Sequence, residues 1–389
     1  PEVIISPLTT EVNFTQFESN LPSTFFKGLS DIQTIPLHFN WRYDKEKGGA
    51  ISKPQNQRLC GSCWATAAAT IIADNFVVKG LNIDEDGKKF IPDLSTTWIL
   101  IKYPQLMCGG GNPAIAFSNI VNASKNGEGG IASNRCLDYS WCATNSMCNG
   151  DAKKHMDANP QKLNELIPYN AGCYSNKNKH YIFDIYKNPI SVGIGMTKND
   201  GTKIQENEWN SYKMEIKKHI YNNGPVLGGF LVFKNFMKGD WCKTLPNKGI
   251  YLENGIYTSL NNINFDSKQT DSSNYKGAHS ISIIGWGMEH NVTTGEGKKE
   301  SVEYWYCRNS WTEKWGDGGY FKMAMYPHNK MSQFDKIVDI TSPKGKNQSG
   351  GIVMIECSEK PKLVDIGLVT TKKGIIPNTI KDKSWYAEN

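Results

Sequence analysis

A helical pattern follows the tryptophan at position 64. Residues 64 to 80 read W-A-T-A-A-A-T-I-I-A-D-N-F-V-V-K-G, a run that is rich in alanine and free of proline. Alanine has the highest helix propensity, and a glycine commonly follows the last helical residue. The run therefore predicts a helix of about four turns that begins near Cys63 and ends before Gly80.

Apolar residues alternate in a second segment, far along the chain. Residues 277 to 287 read G-A-H-S-I-S-I-I-G-W-G, with isoleucines at 281 and 283. A period of two indicates a strand with one buried face. We therefore predict a half-buried strand that begins near His279, followed by a turn at the glycines. A short aromatic strand, Y-W-Y-C-R, is expected just before Asn309.

The two ends of the chain lack these strong patterns. Residues 1–34 form an N-terminal extension without a long charged helix. Residues 346–389 form a lysine-rich C-terminal extension, in which I-V-M-I at 352 to 355 and I-G-L-V at 366 to 369 predict one or two added strands. A sharper hypothesis is that either extension is a docking segment.

Length and composition set outer limits. With 389 residues and 39% hydrophobic content, the chain can form about two to three domain-sized units. No run approaches the roughly 18 consecutive apolar residues of a transmembrane helix. The formal charge of +6 is modest and spread along the chain, so we expect neither a membrane span nor nucleic-acid binding.

The stretch Q-R-L-C-G-S-C-W-A at 57 to 65 places Cys60 and Cys63 three residues apart. A structural zinc site would need a second short-spaced pair, but no other C-x-x-C occurs among the ten cysteines, so we expect no metal and no cofactor. A thioredoxin-like pair would need a preceding strand, and no such pattern precedes residue 57. At a helix N-terminus the thiolate form of Cys63 is favoured. On position alone, Cys63 is either a nucleophile or a buried structural cysteine.

A thiolate nucleophile requires a base, and the base requires a group that orients its ring. The chain has seven histidines, at 38, 155, 180, 219, 279, 290 and 328. His279 opens the predicted strand, and Asn309 follows the short aromatic strand. Each residue alone is a weak signal, but the set of Cys63, His279 and Asn309 is not.

This set resembles the papain and cathepsin family of cysteine proteases. The matching motifs are Gln57, C-G-S-C-W at 60 to 64, C-G-G-G-N at 108 to 112, A-H at 278 and 279, N-S-W at 309 to 311 and W-G-D-G-G-Y-F at 315 to 321. The similarity runs from about Ile35 to Tyr326. The residues of these motifs are most similar to those of the cathepsin X branch. That branch's short insertion before Cys60 is missing, so we predict no carboxypeptidase activity.

The resemblance implies a role for each catalytic position. Cys63 is implied to be the nucleophile, and His279 the general base that later protonates the leaving amine. Asn309 is implied to orient the imidazole. Gln57 is implied to stabilise the oxyanion together with the backbone N–H of Cys63.

The resemblance also implies substrate contacts and a disulfide. Gly110 and Gly111 are expected to pair with an extended substrate, while Ala278 and Ser280 flank the second substrate pocket. Trp311 is expected to shield the asparagine from water. Cys60 is expected to form a disulfide with Cys108. The pairing of Cys136, Cys142, Cys148 and Cys173 stays open.

Two departures from the family pattern are visible. Lys102 stands where a second family disulfide usually starts, so that bridge is expected to be absent. Thr312 replaces the glycine that normally follows N-S-W.

The implied fold is an α+β, papain-like one with two lobes and the active site in the cleft between them. We assign residues 35–195 to a mainly helical lobe with the nucleophile and residues 196–345 to a β-rich lobe with the histidine and asparagine. The expected function is a cysteine endopeptidase that acts on peptide or protein substrates through an acyl-enzyme intermediate.

Two other functions are weighed against this one. The fold could serve as a structural or binding component of a virus particle, with its cleft masked by an extension. Acyl transfer such as transglutamination would use aspartate as third residue, and Asn309 counts against it. The forty lysines against four arginines suggest an AT-rich genome, such as that of a protist or a large DNA virus. Localisation is secreted or lysosomal by family resemblance, or in the virion or host if the source is viral.

Overall fold

The structure is a computed structural model of the 389-residue chain. It describes residues 35–43, 51–80, 82, 92–102, 107–111, 116–117, 119–120, 131–132, 134, 139, 142, 179–183, 192–194, 206–242, 249–252, 255–257, 275–293, 299–325, 352–354, 362–371 and 374–382. Residues 1–34 and Cys136, Cys148 and Cys173 lie outside these ranges.

The described residues form three α-helices. Helix α1 spans Cys63–Val78, α2 spans Thr96–Lys102 and α3 spans Glu206–Asn223. Short 3-10 helices span Met107–Gly109 and Asp240–Cys242. The predicted first helix is confirmed, and it is followed by Gly80 in the left-handed conformation with φ of +66°, which favours glycine.

Most of the strands form one large mixed sheet. Its strands are β1 (Phe39–Asn40), β4 (Val192–Ile194), β5 (Val226–Phe233), β6 (Ile250–Leu252), β7 (Gly255–Tyr257), β8 (Tyr275–Thr293), β9 (Lys299–Arg308), β10 (Tyr320–Ala324) and β11 (Ile352–Met354). The order is β4-β11-β5-β8-β9-β10-β6-β7, and β1 also pairs with β8. All neighbours are antiparallel except β10 and β6. With the helices, this sheet confirms the α+β class.

A second sheet contains the last strands of the chain. It consists of β2 (Ile131–Ala132), β3 (Lys179–Phe183), β12 (Lys362–Thr371) and β13 (Gly374–Asp382) in the order β13-β12-β3-β2. The two predicted C-terminal strands are therefore present, as β11 and β12. Because β11 pairs with β5 and β4, part of the C-terminal extension belongs to the larger sheet.

Strand β8 corrects two details of the sequence analysis. The turn predicted at the glycines is wrong, since β8 continues to Thr293. A Cβ atom at Gly285 would collide with the backbone oxygen of Phe39, because β1 crosses there in register with Gly285 and Trp286. The glycine therefore allows close strand approach rather than a turn. The strand is also buried on both faces over residues 279–287, not on one.

The two faces of β8 explain this burial. Helix α1 packs against one face, and it is itself buried along nearly its whole length, from Cys63 to Phe76. A helix that is buried all round is a core helix. The other face of β8 contacts an aromatic cluster centred on Phe236, whose ring neighbours are Phe230, Tyr251, Trp311, Trp315 and Phe321. The strand that contains His279 is thus held between two packed layers.

Candidate active site

Cys63 is the first residue of helix α1 and carries a thiol. Its side chain is buried in the structure. The first backbone N–H groups of a helix have no partner within the helix, so they create a positive potential at this end. The sequence expectation that Cys63 lies at a helix N-terminus is confirmed.

The disulfide expected from the resemblance is present between Cys60 and Cys108. The backbone N–H of Gly61 also donates to Cys108 O at 3.0 Å. A Cβ atom at position 61 would lie only 2.5 Å from that oxygen, so glycine is required there. Cys142 is also disulfide-bonded.

Gln57 connects the segment before α1 to the segment after β9. Its Oε1 accepts from Ser310 Oγ at 2.6 Å and from Trp311 Nε1 at 3.2 Å. Its Nε2 donates to Cys60 O at 3.0 Å. Two donors on one oxygen fix which end of the amide is the nitrogen. The N–H groups of Gln57 are therefore directed towards the loop that leads into Cys63.

His279 and Asn309 form a short hydrogen bond of 2.7 Å between Nε2 and Oδ1. Asn309 Oδ1 also accepts from the backbone N–H of Ser310 at 2.8 Å. Because Oδ1 can only accept, the imidazole proton sits on Nε2. His279 Nδ1 is buried and makes no hydrogen bond to any described residue, so a thiol–imidazole hydrogen bond is not formed here. Such bonds often tighten only when substrate binds.

Aromatic side chains surround the histidine. The indole of Trp311 lies 4.8 Å from the His279 ring, tilted by 31°. Phe230 and Phe236 contact the same ring at 5.8 and 6.4 Å between centroids. Burial strengthens the bond between His279 and Asn309 because water does not compete for it.

The predicted substrate-contacting residues lie around this centre. Gly110 has φ of +118°, and a Cβ atom at Gly111 would lie 2.5 Å from the Trp64 ring, so both positions require glycine. Ala278 is half-buried beside His279. Ser280 is buried and lines a small cavity between α1 and β8.

Tyr139 is a contact that the sequence analysis missed. Its hydroxyl donates to Gln57 O at 3.1 Å and lies 2.6 Å from Ser62 Oγ, which can donate to it. Burial raises the pKa of Tyr139 well above its ordinary value, so the hydroxyl stays neutral. No motif in the sequence marks this tyrosine.

A buried ion pair next to Asn309 was also missed. Arg308 Nη1 lies 2.7 Å from Asp74 Oδ2, and the two side chains are only 2% and 1% exposed. Arg308 also donates to Ser282 Oγ at 3.0 Å and to Ser52 O at 2.7 Å. The only sign of this ion pair in the sequence was Asp74, a single carboxylate in the alanine-rich helix α1. The pair connects α1 to the strand end that precedes Asn309.

The described residues contain neither a membrane-spanning helix nor a cluster of metal ligands. No helix among them is both long and apolar enough to cross a membrane. Within the same ranges, no three His, Cys, Asp or Glu side chains cluster as metal ligands would.

A family model for papain family cysteine proteases matches residues 35–223 and 198–338. The chain belongs to the papain family of cysteine proteases. The resemblance inferred from the motifs is therefore confirmed over nearly the expected range. As a member of this family, the chain is a cysteine protease with a papain-like α+β fold.

Named relatives agree with this assignment. Probable cysteine proteinase 024R of Invertebrate iridescent virus 3 is 37% identical over 410 residues, covering 99% of this chain and 78% of the relative. Cathepsin B-like cysteine proteinase 3 of Caenorhabditis elegans is 23% identical over 299 residues, which cover 77% of this chain and 64% of the relative. Among solved structures, procathepsin B S9 from Trypanosoma congolense has a TM-score of 0.44 and is 16% identical in sequence. The match covers 92% of this chain and 82% of that structure. The proposed likeness to the cathepsin X branch stays a prediction.

Proposed function

We propose that this papain-family protease is an endopeptidase that uses Cys63, His279, Asn309 and Gln57 as its catalytic residues. The observation that supports it most is the 2.7 Å bond between His279 and Asn309, which leaves His279 Nδ1 as the proton acceptor. Cys63 supplies the thiol from the start of α1. The substrates are peptides or proteins.

The reaction starts with transfer of the Cys63 proton to His279 Nδ1. The thiolate then attacks the substrate carbonyl carbon, and the carbonyl π electrons move to the oxygen. The backbone N–H of Cys63 and the amide of Gln57 donate to that oxyanion. When the tetrahedral intermediate collapses, the C–N bond breaks and His279 gives its proton to the leaving amine.

Hydrolysis of the acyl-enzyme completes the cycle. His279 takes a proton from water, whose oxygen attacks the thioester carbonyl. The C–S bond then breaks, and the proton returns to the Cys63 sulfur. Asn309 holds the imidazole through both steps without adding a second negative charge beside the thiolate.

The substrate-binding roles are also proposals. Gly110 and Gly111 present backbone to an extended peptide, which pairs with it as an added strand would. Ala278 and Ser280 flank the pocket for an apolar side chain, and Trp311 shields Asn309 from bulk solvent. Residues 35–195 and 196–345 are assigned to the two lobes that meet at this cleft.

Partners beyond the substrate follow from weaker observations. We propose that one or both terminal extensions dock a further protein, and that nucleic acid takes no part. The similarity to a protein of Invertebrate iridescent virus 3 supports a virion or host setting over a secreted one. The alternative, a structural or binding component with masked or lost activity, predicts that Cys63 of the native protein is not labelled.

The test is labelling of the native protein with an epoxide inhibitor that alkylates papain-type thiolates, followed by peptide mass spectrometry. We expect stoichiometric labelling of Cys63 and none after Cys63→Ser. Cys307 is an internal control, because burial raises the pKa of its thiol well above the ordinary value. Labelling of unfolded protein only, or equal labelling of Cys63 and Cys307, would contradict the proposal; labelling of Cys63 only after an extension is removed would indicate a masked enzyme.

A further inference from the structure

A small cavity lies between helix α1 and strands β8 and β9, beside Asn309. Its volume is about 10 Å³, which is the lower limit for holding one water molecule. Its wall is mixed: Thr66, Thr70, Ser280, Ser282 and Asn309 contribute to it, together with the apolar side chains of Ala67 and Ile281. A small cavity retains an ordered water where two to four polar groups can bond to it.

Two residues of this wall each have a side-chain atom that makes no hydrogen bond within the described part of the chain. Thr66 Oγ1 and Asn309 Nδ2 are both buried, and neither bonds to any described residue. A buried polar atom without a partner costs stability, so such atoms are rare in folded proteins. Because both atoms belong to residues that line the same cavity, one shared hydrogen-bond partner would satisfy both.

The identity of the asparagine atom is fixed by its other contacts. Asn309 Oδ1 lies 2.7 Å from His279 Nε2 and 2.8 Å from the backbone N of Ser310. The Ser310 nitrogen is a donor, so the accepting atom is the oxygen and not the nitrogen of the amide. The unsatisfied atom is therefore an NH₂ group, which requires an acceptor.

Thr66 differs from its neighbour one turn later. Thr70 Oγ1 donates to the backbone oxygen of Thr66 at 3.0 Å, as threonines in helices commonly do. Thr66 makes no equivalent bond. Residues four apart share a helix face, so both threonines point towards β8, but only the Thr66 hydroxyl has to find its partner outside the helix.

We propose that one ordered water occupies this cavity, accepts a hydrogen bond from Asn309 Nδ2 and exchanges another with the Thr66 hydroxyl. Thr66 is then a positioning residue for Asn309, acting through the water. The Asn309 amide is held at both ends, by Ser310 N–H on its oxygen and by the water on its nitrogen. The inference rests on the proposed function, in which Asn309 orients His279.

A crystal structure at a resolution that shows ordered water tests the site directly. We expect density within hydrogen-bond distance of both Thr66 Oγ1 and Asn309 Nδ2 in the native protein and in Thr66→Ser. The water should be lost or displaced in Thr66→Val, which keeps the shape of threonine without its hydroxyl. Absence of the water from the native protein would overturn the proposal, and this reading does not depend on activity.

Steady-state kinetics test the positioning role. Loss of one hydrogen bond behind Asn309 is expected to lower kcat of Thr66→Val about 3- to 10-fold with KM unchanged. Thr66→Ser should stay within about twofold of the native protein, because it keeps the hydroxyl. A Thr66→Val enzyme with native kcat, or a Thr66→Ser enzyme as impaired as Thr66→Val, would overturn it. If Thr66→Val fails to fold, the native and Thr66→Ser structures still decide.

The two proposals fail in distinguishable ways. If Cys63 is not alkylated but the water is present, the catalytic assignment is wrong and the water site stands. If Cys63 is alkylated and the water is absent, the catalytic assignment stands and the role of Thr66 is wrong.

Discussion

His279 Nε2 lies 2.7 Å from Asn309 Oδ1, although 30 residues separate them in sequence. The long strand β8 brings the histidine to this point, and Asn309 directly follows the last residue of its partner strand β9. The ring of Trp311 covers the pair at 4.8 Å from the imidazole. The histidine ring is thus oriented by a neutral acceptor, and the bond between them is shielded from bulk solvent.

The first prediction concerns this bond. Replacing Asn309 by alanine removes the acceptor, and we expect kcat/KM to fall about 10- to 100-fold, as for the loss of a hydrogen bond to a charged group. Asn309→Asp keeps an acceptor oxygen for His279 and for Ser310 N–H, so it should retain more activity than Asn309→Ala. The measurement is hydrolysis of a fluorogenic peptide; equal loss in both variants would show that the acceptor is not the cause.

The second prediction concerns Thr312, which stands where the family has glycine. Its φ is +70°, in the left-handed region that β-branched residues rarely adopt. This conformation costs about 1–2 kcal/mol for a residue with a Cβ atom. We therefore expect Thr312→Gly to raise the free energy of unfolding by at most about 1 kcal/mol, because the relief of strain is offset by the greater entropy of glycine in the unfolded chain and by loss of the hydroxyl that accepts from Lys314 N–H.

The matched control for this strain is Thr312→Val. Valine keeps the branched shape and the strain but loses the hydroxyl, which accepts from Lys314 N–H at 3.1 Å. It should therefore be less stable than the native protein in urea unfolding. If valine and glycine shift the urea midpoint in the same direction, backbone strain is not the explanation.

The sequence predicted those parts of the site that depend on local pattern or on a specific motif. Helix α1 followed from its alanine content, and the Cys60–Cys108 disulfide followed from the family motif. Gly285 was misinterpreted because a glycine in a turn and a glycine under a crossing strand look the same in sequence. Tyr139 and the Asp74–Arg308 pair were missed because their partners lie 82 and 234 residues away, and no local pattern records such contacts.

The third prediction concerns pH. Glu303 is partly buried, and burial alone would raise its pKa, but the ammonium groups of Lys213 and Lys217 lie at 2.7 and 2.8 Å and hold that pKa below its ordinary value. A carboxylate whose pKa is lowered by folding stabilises the folded state above its unfolded pKa, near 4.5. This contribution is lost as the pH falls through the lowered, folded-state pKa.

The corresponding experiment compares Glu303→Gln with the native protein. The variant should be less stable at about pH 7, and the difference should shrink as the pH falls below about 4. Glu313→Gln makes the same change of charge at an exposed position, so it should leave the pH dependence unchanged. The measurement is the urea midpoint of each protein across this pH range. A difference in midpoint between Glu303→Gln and the native protein that does not change with pH would contradict the proposed pKa effect.

The last prediction concerns the buried pair of Asp74 and Arg308, which joins helix α1 to the strand end before Asn309. Removing one partner leaves the other charge buried, which costs about 3–5 kcal/mol, whereas replacing both by apolar residues can be nearly neutral. We therefore expect Arg308→Met and Asp74→Leu each to lower the free energy of unfolding strongly. The double variant should recover part of that loss.

The activity of the double variant distinguishes an effect of the ion pair on stability from an effect on the position of Cys63. Arg308 also holds Ser282 and Ser52, at 3.0 and 2.7 Å, so the double variant loses the contacts that fix α1 relative to β8. If the pair positions Cys63 relative to His279, the double variant will be folded but will have a lower kcat than the native enzyme at a temperature where both are fully folded. If the folded double variant has the native kcat, the ion pair contributes to stability and does not position Cys63. If the double variant recovers none of the lost stability, the loss in the single variants is not caused by an unpaired buried charge.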